Sequence, residues 1–236
     1  MSPSGGLLWH WRAWRSQAQW RPVCAQISDW LDQVEPRSSE LMLIGASAGW
    51  MMPTAWLQRF KRVLVWDIDG LAEPLFRWRH GAALKASATE LVFQRADALA
   101  NLDSLLDAHP QACVLFDNVL GQVRFHFNDL DAVSDHIYKI TQALKGREWG
   151  SLHDAFSGPR EPALNSQNLP ARQLRLQGEG HVEKADEAWF LKLGAKGEWL
   201  DHLTSSVFDK GTVVHHMAWP YRPKYCHWLQ AGWVHV

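Results

Sequence analysis

Four short, continuous apolar runs, each followed within four residues by a glycine or an aspartate, shape the first half of this 236-residue chain. Leu41-Met42-Leu43-Ile44 closes on Gly45, and Val63-Leu64-Val65-Trp66 closes on Asp67. Leu91-Val92-Phe93 has Asp97 just beyond it, and Cys113-Val114-Leu115-Phe116 closes on Asp117-Asn118. An apolar run without alternation is the pattern of a strand covered on both faces, the condition of a parallel sheet. Segments at helical spacing lie between these runs: one to about residue 60, then Leu71 to Leu84 and Leu99 to Ala108. The alternation predicts an α/β chain with a doubly wound, mostly parallel sheet. Right-handed crossovers then place the closing residues on the one sheet edge where ligands bind.

Outside this rhythm, residues 24–35 carry Ile27, Trp30, Leu31 and Val34 at helical spacing, before Pro36 and Ser38-Ser39 break the pattern. Leu130 to Leu144 reads as a helix, and Trp149 to Phe156 as a fifth strand after the Lys145-Gly146 turn. Residues 157–172, with Gly158, Pro159, Pro162 and Pro170, read as a loop, and Asp186 to Leu193 as a strand or short helix. Val213 to Trp219 and His227 to Val236, joined through Pro220, predict a C-terminal antiparallel strand pair.

Charge and cysteine content exclude several function classes. With 24 basic and 25 acidic side chains and no Lys/Arg run, neither nucleic acid nor an anionic membrane is an expected partner. Cys24, Cys113 and Cys226 form neither a disulfide framework nor a paired zinc spacing. His215-His216 would point to opposite faces of a strand, so no metal is expected. No signal-peptide or membrane-span pattern occurs, and a cytoplasmic location is expected. Trp9, Trp11, Trp14 and Trp20 share the N-terminal segment with Arg12, Arg15 and Arg21, as a helix packed over the domain or a lid near a ligand. Plain packing is the favoured reading.

A glycine turn between strand and helix lets backbone approach a ligand, and Gly45 and Gly49 would serve it. Asp67 follows Gly45 by 22 residues (67 minus 45), near the roughly 20 expected for an acid that accepts ribose hydroxyls. Over residues 41–122 the chain resembles the class I S-adenosylmethionine-dependent methyltransferases. Leu41 to Gly49 is similar to their first motif, Val63 to Asp69 to the second, Phe93 to Leu99 to the third, and Val114 to Asn118 to the fourth. The resemblance implies S-adenosylmethionine as cofactor, held by Gly45, Ser47, Gly49, Asp67, Ile68, Asp97 and Asp117. Within that set Asp67 would bind ribose, Ile68 would pack on adenine, and Asp97 would meet the adenine amino group. Asp117 and Asn118 would border the methyl donor and orient the acceptor, a small molecule or protein side chain, with His126 or His153 as candidate base. Leu43 stands where the family usually has an acid, and Ser47 where it has its middle glycine. The implied layout is one domain over 1–236: an N-terminal helical segment at 1–40, a cofactor-binding core at 41–156, and a loop or lid with C-terminal strands at 157–236.

Other readings stand beside this one. Asp67 and Asp97 also suit helix N-caps. Gly45-Ala46-Ser47-Ala48-Gly49 fits G-x-S-x-G, the nucleophile elbow of a serine hydrolase, with Asp117 and His215 as partners by chain order. The elbow comes early for that fold and leaves Asp67 and Asp97 without a role. A non-catalytic scaffold binding a nucleoside or a protein is the third reading. The G-x-G-x-x-G of nicotinamide enzymes is absent.

Overall fold

The computed structural model describes residues 5–161, 169–177 and 184–236. The four apolar runs form β1 (Glu40–Ile44), β2 (Arg62–Asp67), β3 (Glu90–Arg95) and β4 (Cys113–Asp117), and β5 (Trp149–Pro159) follows. These five pair in parallel in the order β3-β2-β1-β4-β5. The sheet continues through strands formed later in the chain: β6 (Arg172–Arg175), β7 (Leu200–Asp201), β8 (Val213–Arg222) and β9 (Tyr225–Val234). β9 lies antiparallel against β5, β8 antiparallel against β9, and β6 on the far edge of β8, while β7 pairs with the end of β5. The C-terminal antiparallel pair is therefore β8 and β9.

Side chains of alternating parity fill two apolar layers. Leu41, Leu43, Val63, Val65, Cys113 and Leu115 face one side, and Met42, Ile44, Leu64, Trp66, Val114 and Phe116 the other. Burial on both faces is why these strands lack polar alternation, and each large side chain contributes roughly 1.5–3 kcal/mol on leaving water. The first layer is covered by α1 (Gly6–Gln33), through Trp20, Val23, Ile27, Trp30 and Leu31. The second is covered by α5 (Leu102–Ala108) and α6 (Leu130–Ala143), through Leu102, Leu106, Val133, Ile137 and Ile140. Asp129 caps α6, its side chain accepting from the Asp131 N–H.

Several elements differ from the sequence expectation. The Trp-rich segment and the 24–35 helix are one 28-residue helix that runs through Pro22. Proline removes one helical hydrogen bond, but the apolar face on either side of it is buried against the sheet and outweighs that loss. The helix after β1 is α2 (Thr54–Leu57). The segment expected as one helix from Leu71 to Leu84 is α3 (Ala72–Phe76) and α4 (Ala82–Ala86), joined by a π-helical turn over Arg77–Gly81. Ser157 to Pro159, expected in a loop, extend β5, paired with β9. Residues 162–168 of that expected loop lie outside the described residues. The segment near Asp186 to Leu193 is helical, as α7 (Lys184–Lys192). No described helix is long and apolar enough to cross a membrane.

Candidate active site at the strand C-termini

From β1 the chain builds outward through β2 and β3, then returns to the other side of β1 with β4 and β5. The reversal leaves a crevice at the carboxyl ends of β1 and β4, where open α/β sheets bind ligands. Gly45 and Gly49 shape the turn that leaves β1 at this edge. Gly45 has φ +77, and a Cβ there would sit 2.9 Å from Val119 Cβ. Gly49 has φ +62, and a Cβ there would sit 2.4 Å from Nε2 of the buried His80. The π-helical turn brings His80 to this point, where Thr54 Oγ1 holds its Nδ1 at 2.8 Å. Burial pushes the His80 imidazole down to about 4. Ser47, between the glycines, also has a left-handed φ of 51.

Asp67 ties β2 to this turn. Its Oδ2 accepts from the Ser47 N–H at 2.7 Å and its Oδ1 from the Asp69 N–H at 2.8 Å. Burial raises its pKa, against the lowering effect of those two N–H groups. A carboxylate has about four acceptor sites, so each oxygen keeps one for a further donor.

Sequence reasoning gave no role to Asp69, which joins this crevice to the start of α1. Its Oδ2 accepts from the Gly6 N–H at 2.6 Å and from His10 Nε2 at 2.9 Å. Trp50 Nε1 donates to His10 Nδ1 at 3.0 Å, which leaves the ring proton on Nε2 for Asp69. Burial pushes the Asp69 carboxyl up, but the Leu71 and Gly6 N–H groups and His10 outweigh it and hold it low. Trp9 Nε1 donates to Ser47 Oγ at 3.0 Å. The N-terminal segment packs over the sheet as α1, and Gly6, Trp9 and His10 at its start bond to Asp69 and Ser47.

The other predicted residues fall in two groups. Ile68 is 62% exposed beside the crevice. Asp97 is exposed, and its Oδ1 accepts from the Leu99 and Ala100 N–H groups, the cap geometry considered for it. Asp117 is buried at the end of β4, and no hydrogen bond to its carboxylate occurs among the described residues. Burial, with the Asp67 charge behind it, pushes that carboxyl up to about 8. Asn118 has a left-handed φ of 56, and its amide is engaged with β5. Its Oδ1 accepts from the Asp154 N–H at 3.0 Å and its Nδ2 donates to Asp154 Oδ2 at 3.3 Å.

That contact leads to a second polar group, absent from the sequence reading. Leu152 pairs with Asp117, and the register of β5 against β9 shifts between Asp154 and Phe156. The extra residue, Ala155, makes Asp154 and Ser157 share a face, although they are three apart. His227, paired with Ser157, lies on that same face, with its Nδ1 2.9 Å from Asp154 Oδ1. His202 Nδ1 donates to the Gly121 carbonyl at 2.8 Å, and its Nε2 is 2.9 Å from Ser157 Oγ. Burial pushes the Asp154 carboxyl up, but the His227 charge leads a set of contacts that bring it below its usual value. Only the bulge and the β5–β9 register reveal this cluster. Of the two proposed bases, His153 is fully buried on the opposite face, bonded to Ser151 and pushed down to about 4 by burial. His126 follows the turn over Leu120–Phe125, outside the hydrogen bonds that join Asn118 and Asp154.

The hydrolase arrangement is not assembled. Ser47 Oγ accepts from Trp9, and no histidine hydrogen-bonds it among the described residues. His215 is in register with Asp117 through Ala231 and Leu152, three strand spacings or about 14 Å away.

The parallel order β3-β2-β1-β4-β5, followed by an antiparallel β9 between β5 and β8, decides the fold. The chain has a class I methyltransferase fold. No protein-family model and no curated protein sequence matches it. Among solved structures it is similar to magnesium protoporphyrin IX methyltransferase from Synechocystis PCC 6803 with bound SAH. The identity is 15%, over 92% of this chain and 82% of that one, with a TM-score of 0.43. It is also similar to the N-methyltransferase NodS from Bradyrhizobium japonicum WM9 in complex with S-adenosyl-L-homocysteine. There the identity is 11%, over 92% of this chain and 86% of that one, with a TM-score of 0.40. These likenesses are distant, and the fold assignment stands on strand order and direction.

Proposed function

We propose that this chain is an S-adenosylmethionine-dependent methyltransferase acting on a small-molecule or protein acceptor. The observation that carries the reading is Asp117, a buried carboxyl without a hydrogen-bond partner among the described residues, beside Asp67 at the switch point. Two carboxyl groups close together in a low-dielectric crevice favour a cationic ligand, and S-adenosylmethionine carries both a sulfonium and an ammonium group.

The remaining residues suit the rest of that molecule. Gly45 and Gly49 allow the tight, left-handed turn that would bring backbone up to the ligand, with Ser47 between them. Asp67 has acceptor capacity left for ribose hydroxyls, exposed Ile68 offers an apolar face to adenine, and Asp97 Oδ2 is available to the adenine amino group. Methyl transfer from a sulfonium needs alignment above all: the acceptor–carbon bond forms as the carbon–sulfur bond breaks, leaving a neutral thioether. Asp117 and Asn118 stand where the acceptor would approach, Asn118 through its hold on β5. The start of α1 is bonded to Asp69 and Ser47, so in this reading ligand entry involves its displacement.

Calorimetric titration with S-adenosylmethionine and S-adenosylhomocysteine tests the reading. Binding to the wild type and its loss in a folded Asp67→Ala variant are expected. No binding to the wild type overturns the proposal.

A further inference from the structure

Asp154, His202 and His227 each present one ligand atom, and the three atoms lie within 4.8 Å of one another. They come from β5, from the segment after β7, and from β9. Asp154 and His202 are buried, and His227 is 14% exposed at the rim. Asp154 Oδ1 and His227 Nδ1 are buried and 2.9 Å apart, yet neither has a hydrogen-bond partner of acceptable geometry among the described residues. With His227 protonated the two form an ion pair, and with His227 neutral both atoms offer lone pairs that a shared cation would satisfy. Two zinc bonds of about 2.0–2.1 Å at the tetrahedral angle have a ligand-to-ligand edge of about 3.3 Å, so this pair needs to open by only a few tenths of an ångström to take an ion.

The outer atoms of the group are already fixed. The Gly121 carbonyl, 2.8 Å from His202 Nδ1, selects the tautomer that leaves a lone pair on Nε2. Asn118 Nδ2 donates to Asp154 Oδ2 at 3.3 Å and orients the carboxylate. Gly121 lets this packing occur, since a Cβ there would be 3.0 Å from Asp154 Cβ. Ser157 Oγ, between His202 Nε2 and the Tyr225 hydroxyl, is the group that would yield to an ion. Ligand orientation by a backbone carbonyl and an amide is the outer-shell arrangement of metal sites.

We propose that Asp154, His202 and His227 bind one first-row divalent transition-metal ion, with Zn2+ as the working example. Two imidazole nitrogens and one carboxylate oxygen suit zinc and its neighbours, whereas magnesium and calcium take oxygen donors. Three protein ligands leave a coordination position for water or an oxygen-bearing substrate. The site is two residues along β5 from Leu152, the partner of Asp117, so it lies about 7 Å past that row. It stands independently of the methyl-transfer reading.

The test uses the full chain, stripped with a chelator and titrated with Zn2+, with bound metal counted by mass spectrometry after desalting. One equivalent is expected in the wild type and well under a tenth of that in a folded His227→Gln variant. X-ray absorption at the zinc edge of the wild type should show two imidazoles and a carboxylate, and it decides the matter if His227→Gln does not fold. Absence of stoichiometric zinc, equal loading of folded His227→Gln, or a first shell without two imidazoles would each overturn the proposal. Equal loading would point instead to other histidines, such as His215 or His235.

Discussion

The backbone N–H of Ser47 donates to Asp67 Oδ2 at 2.7 Å, so the turn that ends β1 is held by the acid that ends β2. The same carboxylate holds the Asp69 N–H at 2.8 Å, and Asp69 in turn holds the start of α1. Three segments distant in sequence are therefore positioned through one side chain.

Asp67→Ala leaves the Ser47 and Asp69 N–H groups without their acceptor. A loss of about 2 kcal/mol in unfolding free energy is expected, read from the urea midpoint at constant slope. Asp67→Asn keeps one acceptor oxygen and should lose about half as much. Equal stability of Asp67→Ala and wild type would show that these two bonds contribute nothing.

Asp117 gives a pH-dependent prediction. Its folded pKa, about 8, lies above the ordinary carboxylate value of 3.8, so the native state holds this proton when the unfolded chain has released it. The favourable contribution is full below the unfolded value and is lost as pH rises through about 8. Asp117→Asn cannot ionise. It should therefore gain stability over wild type as pH rises from 5 to 8.5, by about 4 kcal/mol, or on the order of 10 °C in Tm, at the upper end. A difference that does not change with pH would contradict a buried, unpartnered carboxyl.

Gly49→Ala combines a left-handed backbone with a close approach, since its Cβ would meet His80 Nε2 at 2.4 Å. Gly146 has a similar φ, +74, and nothing within 4 Å of an added Cβ. Gly146→Ala should cost about 1 kcal/mol of backbone strain, and Gly49→Ala about 3 kcal/mol in total. Paired thermal melts separate the two contributions, and equal losses would mean that His80 moves aside freely.

His10→Ala removes the bridge between Trp50 and Asp69, bonded at 3.0 and 2.9 Å. The first turn of α1 should open more often, with amide exchange over residues 6–12 at least ten times faster and exchange in β1 and β4 unchanged. Ligand association, if limited by that opening, should accelerate with it. Unchanged exchange at the helix start would show that packing of Trp9 and Trp20 holds it without the histidine.

The sequence by itself determined the parallel half of the sheet, because strands buried on both faces must be continuously apolar, and Leu41 to Ile44, Val63 to Trp66 and Cys113 to Phe116 are. It also determined that Gly45, Asp67 and Asp117 end those strands, hence that they share one edge. Tertiary structure decided what each side chain does there. Asp67 and Asp69 were acids of known place but unknown partner until the fold brought Ser47, Gly6 and His10 to them. The continuity of α1 through Pro22 depends on the sheet face that α1 covers, which local propensity does not encode. The Asp154–His202–His227 group depends on the extra residue at Ala155 and on the pairing of Ser157 with His227. A one-residue change in register turns a side chain to the opposite face, and register between strands some 70 residues apart is set by packing.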